Sequence, residues 1–317
     1  MKRVKSLFDR IVSYDNLRLA WVKARKGKTS KKVVRHFSRD VNRNLEKIRK
    51  RIVQEPPEFS SYIQFKIFDP KERTISVMPF SDRVIHHAVI NILEPVFERQ
   101  LIFHTYACRK GKGTHAAARY AFGMAKSAKC FLKLDVRKYF DSVDHRVLKN
   151  QLCRIIKDGR CLELLFSVID SYCTAEGKGL PIGNLTSQFF ANLYISPLDH
   201  FVLEKLKPKG YVRYMDDIVV FSDSMETLSK IFCSAETFCA ENLHLTLKPP
   251  SFGFTKDGVP FLGWLLKSSG VRLLRKTKHR MREKIRSIEN DFQSGWACEE
   301  KTLSRIESVL AARKLYI

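Results

Sequence analysis

Apolar residues recur at helical spacing from residue 5 to 52, among many Lys and Arg, which predicts two basic helices broken near Gly27. Pro56 and Pro57 end this region. Residues 62–68 alternate as a strand, Asp69-Pro70-Lys71-Glu72 turns, and 73–79 returns as a second strand. Ser81 is placed to cap a helix whose apolar stripe covers 84–97. A basic, glycine-rich loop, Arg109-Lys110-Gly111-Lys112-Gly113, precedes a helix at 114–126. Residues 130–135 read as a short buried strand ending in a carboxylate, and 145–156 as helix. A loop at 177–183 leads into a long helix at 187–204 that tolerates Pro197 as a kink. Residues 211–220 form a hairpin pattern with Asp216-Asp217 at its tip. A helix at 225–242, a short strand at 243–247, and strands at 261–266 and 271–274 follow. From 276 onward the pattern is helical and amphipathic. Strands and helices alternate without a strict βαβ rhythm, so the expected class is α+β.

Charge changes the picture. The chain has 317 residues and a formal net charge of +25, from 58 Lys and Arg against 33 Asp and Glu. The excess is clustered: residues 1–51 hold 18 Lys or Arg and 4 acids, and 271–286 hold 8 and one. Clustered excess charge opposes compaction unless a polyanion neutralises it, which points to nucleic acid. The eight cysteines form no CxxC pair and no zinc pattern, and their apolar neighbours predict buried, reduced thiols. No apolar run follows the basic N-terminus or reaches membrane-spanning length, so a soluble, cytoplasmic protein with no membrane partner is expected. The nine histidines show no HxxxH or HExxH spacing, and His86 and His87 read as packed or surface side chains.

The carboxylates carry the chemistry. Tyr214-Met215-Asp216-Asp217 lies between two apolar strands. Adjacent carboxylates at such a turn repel each other and lose solvation, and a divalent cation with hard oxygen ligands relieves both costs. A solvated Asp-Asp turn is the ordinary alternative. Asp135 shifts the balance, because it ends a second buried strand and can be brought beside Asp216. Such a set suits phosphoryl transfer with two metal ions about 3.5–4 Å apart. Asp141 precedes Ser142-Val143-Asp144-His145, which resembles a helix cap, and reads as structural.

These segments resemble the motifs of reverse transcriptases. Tyr-Met-Asp-Asp at 214–217 is similar to motif C, Phe-Leu-Lys-Leu-Asp-Val-Arg-Lys-Tyr-Phe-Asp at 131–141 to motif A, and Gly-Leu-Pro-Ile-Gly-Asn-Leu-Thr-Ser-Gln at 179–188 to motif B. Arg73-Thr-Ile-Ser-Val with Asp82-Arg83, and Tyr106-Ala-Cys-Arg109 with Gly113-Thr-His-Ala116, are similar to the two fingers motifs. Residues 243–248 and Phe261-Leu-Gly-Trp264 match motifs D and E in order. The form Ile182-Gly-Asn-Leu-Thr-Ser-Gln188 resembles the diversity-generating retroelement enzymes, since most relatives carry Gln-Gly where Ile182-Gly183 stands.

The resemblance implies a right-hand polymerase with an antiparallel, ferredoxin-like palm sheet. Its expected parts are a basic helical extension (1–55), fingers with part of the palm (56–130), palm (131–268) and a short thumb (269–317). It implies catalysis by Asp135, Asp216 and Asp217, and two Mg2+ ions, replaceable by Mn2+, at Asp135, Val136, Asp216 and Asp217. Nucleotide binding falls to Arg73, Lys71, Tyr139, Phe140, Ile182, Gly183 and Lys248. Phe140 stands at the steric-gate position, Arg73 would clamp the triphosphate, and Lys248 would protonate pyrophosphate. Gly183 would let motif B approach the templating pair. Template and primer would meet Arg109, Lys112, Ser187, Gln188, Tyr214, Met215, Phe261, Leu262, Gly263 and Trp264. The implied partners are template RNA, the RNA–DNA duplex, deoxynucleoside triphosphates and a small basic accessory variability protein. The implied activity copies a template-repeat RNA into cDNA with errors at adenines. The rivals are another bacterial reverse transcriptase, of phage-defence or retron type, and a catalytically silent RNA-binding scaffold. No maturase or endonuclease domain is expected after the thumb, and the Val-Thr-Gly of retron thumbs is absent from 265–317.

Overall fold

The structure is a computed structural model and describes residues 3–54, 58–59, 61–68, 72–312 and 314. The chain divides into two compact units, one of residues 1–103, 136–201 and 236–246, the other of 104–135, 202–235 and 247–317.

The first unit is mainly helical. It opens with α1 (Phe8–Ile11), α2 (Tyr14–Arg25), α3 (Lys32–Arg39) and α4 (Val41–Val53). The predicted pair of basic helices is thus four. Gly27, with φ +68°, makes the expected break, while Ser13 and Asp40 add N-caps by accepting from Asn16 N–H and Arg43 N–H. The hairpin β1 (Ile63–Phe68) and β2 (Glu72–Val77) follows, paired Ile63 to Val77. Then comes α5 (Phe80–Glu98), which buries eleven residues and packs against α2 and α10 (Leu185–Phe201). Its N-cap is Pro79 and not Ser81. Phe80, 2% exposed and edge-on to Phe37, draws the helix start toward the core.

This unit continues with α7 (Tyr139–Ser142), α8 (His145–Ile155) and α9 (Gly159–Asp170). Asp144 caps α8, accepting from Val147 N–H, as its cap-like setting suggested. Helix α9 was missed, although Asp158 caps it and Cys161, Leu164, Leu165, Val168 and Ile169 bury one stripe at helical spacing. Helix α10 carries Pro197 and passes into a wider π turn at Val202–Leu206.

The second unit holds a four-stranded antiparallel sheet in the order β4-β5-β3-β6, from β3 (Cys130–Leu134), β4 (Gly210–Tyr214), β5 (Asp217–Ser222) and β6 (Ser251–Phe254). A three-stranded sheet joins β7 (Val259–Phe261), β8 (Trp264–Lys267) and β9 (Gly270–Leu273). Helix α6 (Thr114–Ser127) covers one face of the larger sheet with Ala117, Ala118, Ala121, Phe122 and Ala125. These pack with Phe131, Val212, Val219, Phe221, Phe261 and Trp264. Among the described residues the unit ends in α12 (Arg275–Gln293) and α13 (Glu299–Ala311). Helix α11 (Met225–Leu243) runs through the division between units.

Two predicted strands are corrected. Residues 243–247 are not a strand, because His244 takes φ +49° directly after α11. Pro249-Pro250 then lack ladder donors, and the strand begins at Ser251. Residues 261–266 are broken at Leu262-Gly263, with φ +47° and +94°, into a hairpin between β7 and β8. The thiols are all free, but only Cys130, Cys161 and Cys239 are buried, and Cys173, Cys233 and Cys298 are exposed. Cys233 sits beside buried Ile231 on the outward side of α11, so apolar neighbours in sequence did not mean burial. Among the described residues no helix is long and apolar enough to cross a membrane.

Candidate active site

Strand register assembles the carboxylates. Leu134 pairs with Ile218, so Asp135, one step beyond, comes opposite Asp217, the first residue of β5. Tyr214 pairs with Asp217 across β4–β5, which leaves Met215 and Asp216 as a two-residue turn. Met215 takes φ +55°, unusual without glycine in such a turn. Arg213, fully buried on β4, donates from Nη1 to the Met215 carbonyl at 3.1 Å and so supports the turn from beneath.

The carboxylates are met by ammonium groups. Lys248 Nζ donates to Asp135 Oδ1 at 2.6 Å, and its backbone N–H bonds the Asp135 carbonyl at 2.8 Å. Lys133 Nζ lies 3.1 Å from Asp217 Oδ1, donates to Asp217 Oδ2 at 3.3 Å, and donates also to the Pro260 carbonyl at 3.3 Å. Asp217 Oδ1 is buried with no aligned hydrogen bond, despite its ion pair. Burial pushes the Asp217 carboxyl up to about 6; Lys133 opposes the rise, and Asp216 and Asp135 add to it. Among the described residues no three acidic, imidazole or thiol side chains already converge into a metal cage. What the site shows is a demand for positive charge at Asp135 and Asp217 that two lysines meet. Hard carboxylate oxygens, one under-bonded and desolvated, suit a magnesium ion, which Asp135, Asp216 and Asp217 could hold.

The family model described as reverse transcriptase (RNA-dependent DNA polymerase) matches residues 68–266, which contain this whole constellation. The chain belongs to the reverse transcriptase family. Among curated relatives it is 27% identical over 140 residues to the group II intron-encoded protein LtrA of Lactococcus lactis, covering 42% of this chain and 23% of that one. It is 26% identical over 158 residues to protein YkfC of Escherichia coli, covering 44% and 41%. The matched segments thus span less than half the length of these relatives. Among solved structures it is similar to telomerase from Candida tropicalis in complex with a fragment of telomeric RNA. That match has TM-score 0.56 at 11% identity and covers 80% of this chain and 53% of the other. The mixed α and β architecture with antiparallel sheets is the polymerase fold of these enzymes.

The other reverse transcriptase motif residues divide between the units. In the second unit, Arg109 Nη1 donates to the Thr105 carbonyl and hydroxyl at 2.8 and 2.6 Å, and Lys112 lies over the Tyr106 ring. Tyr214 is half-buried. Phe261 and Trp264, expected at the primer, are core side chains, 0% and 2% exposed; of motif E only Leu262 and Gly263 at the turn are partly exposed.

In the first unit, Arg73 is exposed on β2, and Lys71 lies outside the described residues. Val136 is 1% exposed. Tyr139 is 3% exposed and its hydroxyl donates to the Ala191 carbonyl, so this side chain is packed and not turned toward a nucleotide. Phe140 is half-buried, edge-on to Tyr139. Ser187 is buried and Gln188 exposed. The Ile182 carbonyl accepts from Ser76 N–H at 3.0 Å. Gly183 has a local reason to be glycine: its φ is +116°, and a Cβ would stand 3.1 Å from Ile75 Cγ2 and 3.3 Å from the Ser76 carbonyl. His86 is buried against Thr186, and burial pushes its pKa down to about 3, so it is a neutral packed side chain.

Sequence reasoning missed Lys133 and Arg213. Each is a charged residue inside an otherwise apolar strand, which was the available signal.

Proposed function

We propose that this chain is an RNA-directed DNA polymerase that copies a template-repeat RNA into error-prone cDNA, which replaces a variable gene segment. The polymerase activity rests on one observation: Asp135 comes into register with Asp217, beside Asp216 on the turn, in a reverse transcriptase domain. Asp135, Asp216 and Asp217 would hold magnesium, with the Val136 carbonyl completing the set. When bound, it supplies activation of a primer 3′-hydroxyl and stabilisation of the leaving pyrophosphate.

The chain's own groups do the rest in this reading. Arg73 clamps the triphosphate, with Lys71 beside it in sequence. The Phe140 ring rejects a ribose 2′-hydroxyl by collision. Lys248, an ammonium already at a catalytic carboxylate, is the proton donor to pyrophosphate. Arg109, Lys112, Gln188 and the Leu262-Gly263 turn contact template and primer. The parts are the extension at 1–55, fingers at 56–130, palm at 131–268 and thumb at 269–317. The basic helices at both ends hold template RNA and the RNA–DNA duplex through phosphates and 2′-hydroxyls. A small basic accessory protein completes the assembly.

The mutagenic assignment rests on Ile182. A glutamine here offers an amide to the incoming nucleotide, and isoleucine does not. One net hydrogen bond is worth about 0.5–1.5 kcal/mol, a severalfold to tenfold loss of discrimination. The test is to copy a mixed-base RNA with magnesium and sequence the cDNA. Errors concentrated at template adenines, and fewer errors overall with Ile182→Gln, are expected. Errors spread evenly over the bases would return the chain to the intron-type reading that its likeness to LtrA favours. No synthesis at all, with RNA bound, would leave the scaffold reading.

A further inference from the structure

Strand β3, Cys-Phe-Leu-Lys-Leu, is an inner strand of its sheet and carries a single charge, Lys133. On the face that bears Lys133, Phe131 precedes it, Val219 stands directly across, and both belong to the apolar core under α6. A lysine in such a row must carry its ammonium out of the apolar layer or find a counter-charge. It does the second: the stem runs along the sheet to both oxygens of Asp217 and to the Pro260 carbonyl. The tether to Pro260 distinguishes it from Lys248, for which the described residues show one partner, Asp135, and which extends from an irregular segment at 39% exposure. Lys248 has room to swing away, whereas Lys133 is held on both sides.

We propose that Lys133 is a built-in counter-ion of the carboxylate site, which occupies Asp217 in the metal-free protein and weakens its hold on a divalent cation. The inference rests on the assignment of Asp135, Asp216 and Asp217 as metal ligands. Lys133 supplies one unit of positive charge at the site, and its loss leaves the carboxylates one unit more negative. A cation approaching Asp217 meets an ammonium 3.1 Å from the oxygen it needs. The site thereby avoids two opposed failures: carboxylates left bare when no ion is present, and a cation held so tightly without nucleotide that it cannot exchange. Lys133 is a positioning residue in this scheme, since it acts on the metal through Asp217.

The test is Mn2+ binding to the full chain without nucleotide, followed by the loss of the free-ion paramagnetic resonance signal. Melting temperatures in EDTA and in Mn2+ are measured alongside. Lys133→Met is expected to bind Mn2+ about tenfold more tightly than wild type, as removal of a unit charge a few ångströms away requires. Its melting temperature in EDTA should fall, and its gain on adding Mn2+ should exceed the wild-type gain. Lys133→Arg, which keeps the charge, should bind as wild type does. Should Lys133→Met not fold, Lys133→Gln carries the same test with a donor left for Pro260. Equal or weaker binding by the neutral variant, in a protein whose Mn2+ binding is abolished by Asp217→Asn, overturns this inference alone. Mn2+ binding indifferent to both Asp135→Asn and Asp217→Asn removes the metal assignment, and this inference with it.

Discussion

Residues 214–217 and 261–264 are built on one plan: an aromatic residue, two central residues of a tight turn, and the first residue of the returning strand. Both place a long unbranched or γ-branched side chain, Met215 or Leu262, at φ near +50°. They part at the next position. Gly263 follows Leu262 and adopts φ +94° freely, while Met215 is followed by Asp216, which offers no such relief. They part also in what they hold. Phe261 and Trp264 are core side chains, whereas Tyr214 is half-buried and Asp217 carries a desolvated charge. One turn fixes the small sheet to the core. The other rests on a buried arginine and presents carboxylates whose ionisation added positive charge favours.

The difference is open to four tests. Asp216→Asn, like Asp135→Asn, should lower magnesium-dependent primer extension by at least about a thousandfold while leaving RNA affinity within about twofold, because catalysis needs the charge and binding uses the basic helices. Extension at wild-type rate by either would end the division of labour. Trp264→Ala should do the reverse, costing about 3–5 kcal/mol of stability in urea unfolding through the cavity it leaves. A near-neutral result would mean that the second turn anchors nothing.

Asp217→Asn should gain on the wild type, in the metal-free protein, by on the order of 2 kcal/mol between pH 4 and pH 8, since a carboxyl pushed up to about 6 is costly to ionise in the folded chain. The wild type loses that stability as pH rises from the ordinary carboxylate range through 6. The gain of the variant should therefore be full at pH 8 and vanish toward pH 4, on top of a pH-independent cost for the Lys133 ammonium left without its partner, and magnesium should reduce it. Urea melts in EDTA at both pH values check the sign. Met215→Gly should raise stability by about 1 kcal/mol by releasing backbone strain, against a smaller change for Leu262→Gly, which also gives up a side chain packed against the core. Equal effects at the two positions would show that Arg213 removes the strain at Met215.

Much of this was readable in advance for a physical reason. Local signals carried the 214–217 hairpin, because apolar runs flanked two carboxylates, and Asp135 stood out because a buried strand ended in a charge. The burial of the Tyr139 and Trp264 side chains was hidden for the opposite reason: a motif names a position along the chain and does not say which way the side chain faces. The ion pairs of Lys133 and Lys248 were illegible, since each depends on register between strands or segments more than eighty residues apart. The break at Leu262 was hidden because an aliphatic residue before glycine is not a usual turn pair, and the false strand at 243–247 was apolar enough to look extended while His244 and Pro249-Pro250 forbade it.

Ser76 bonds the Ile182 carbonyl, and Ile75 and the Ser76 carbonyl lie close to Gly183, where a Cβ would stand 3.1 and 3.3 Å from them. The hairpin that carries Arg73 and the loop that carries Ile182 are therefore coupled as one lever in mechanical terms, joined by a hydrogen bond and a close contact. A displacement of β2 is passed to Ile182 through this hydrogen bond. A bulkier residue at 75 would act as a shim at the fulcrum, resetting how the loop stands without replacing a single residue assigned to the nucleotide.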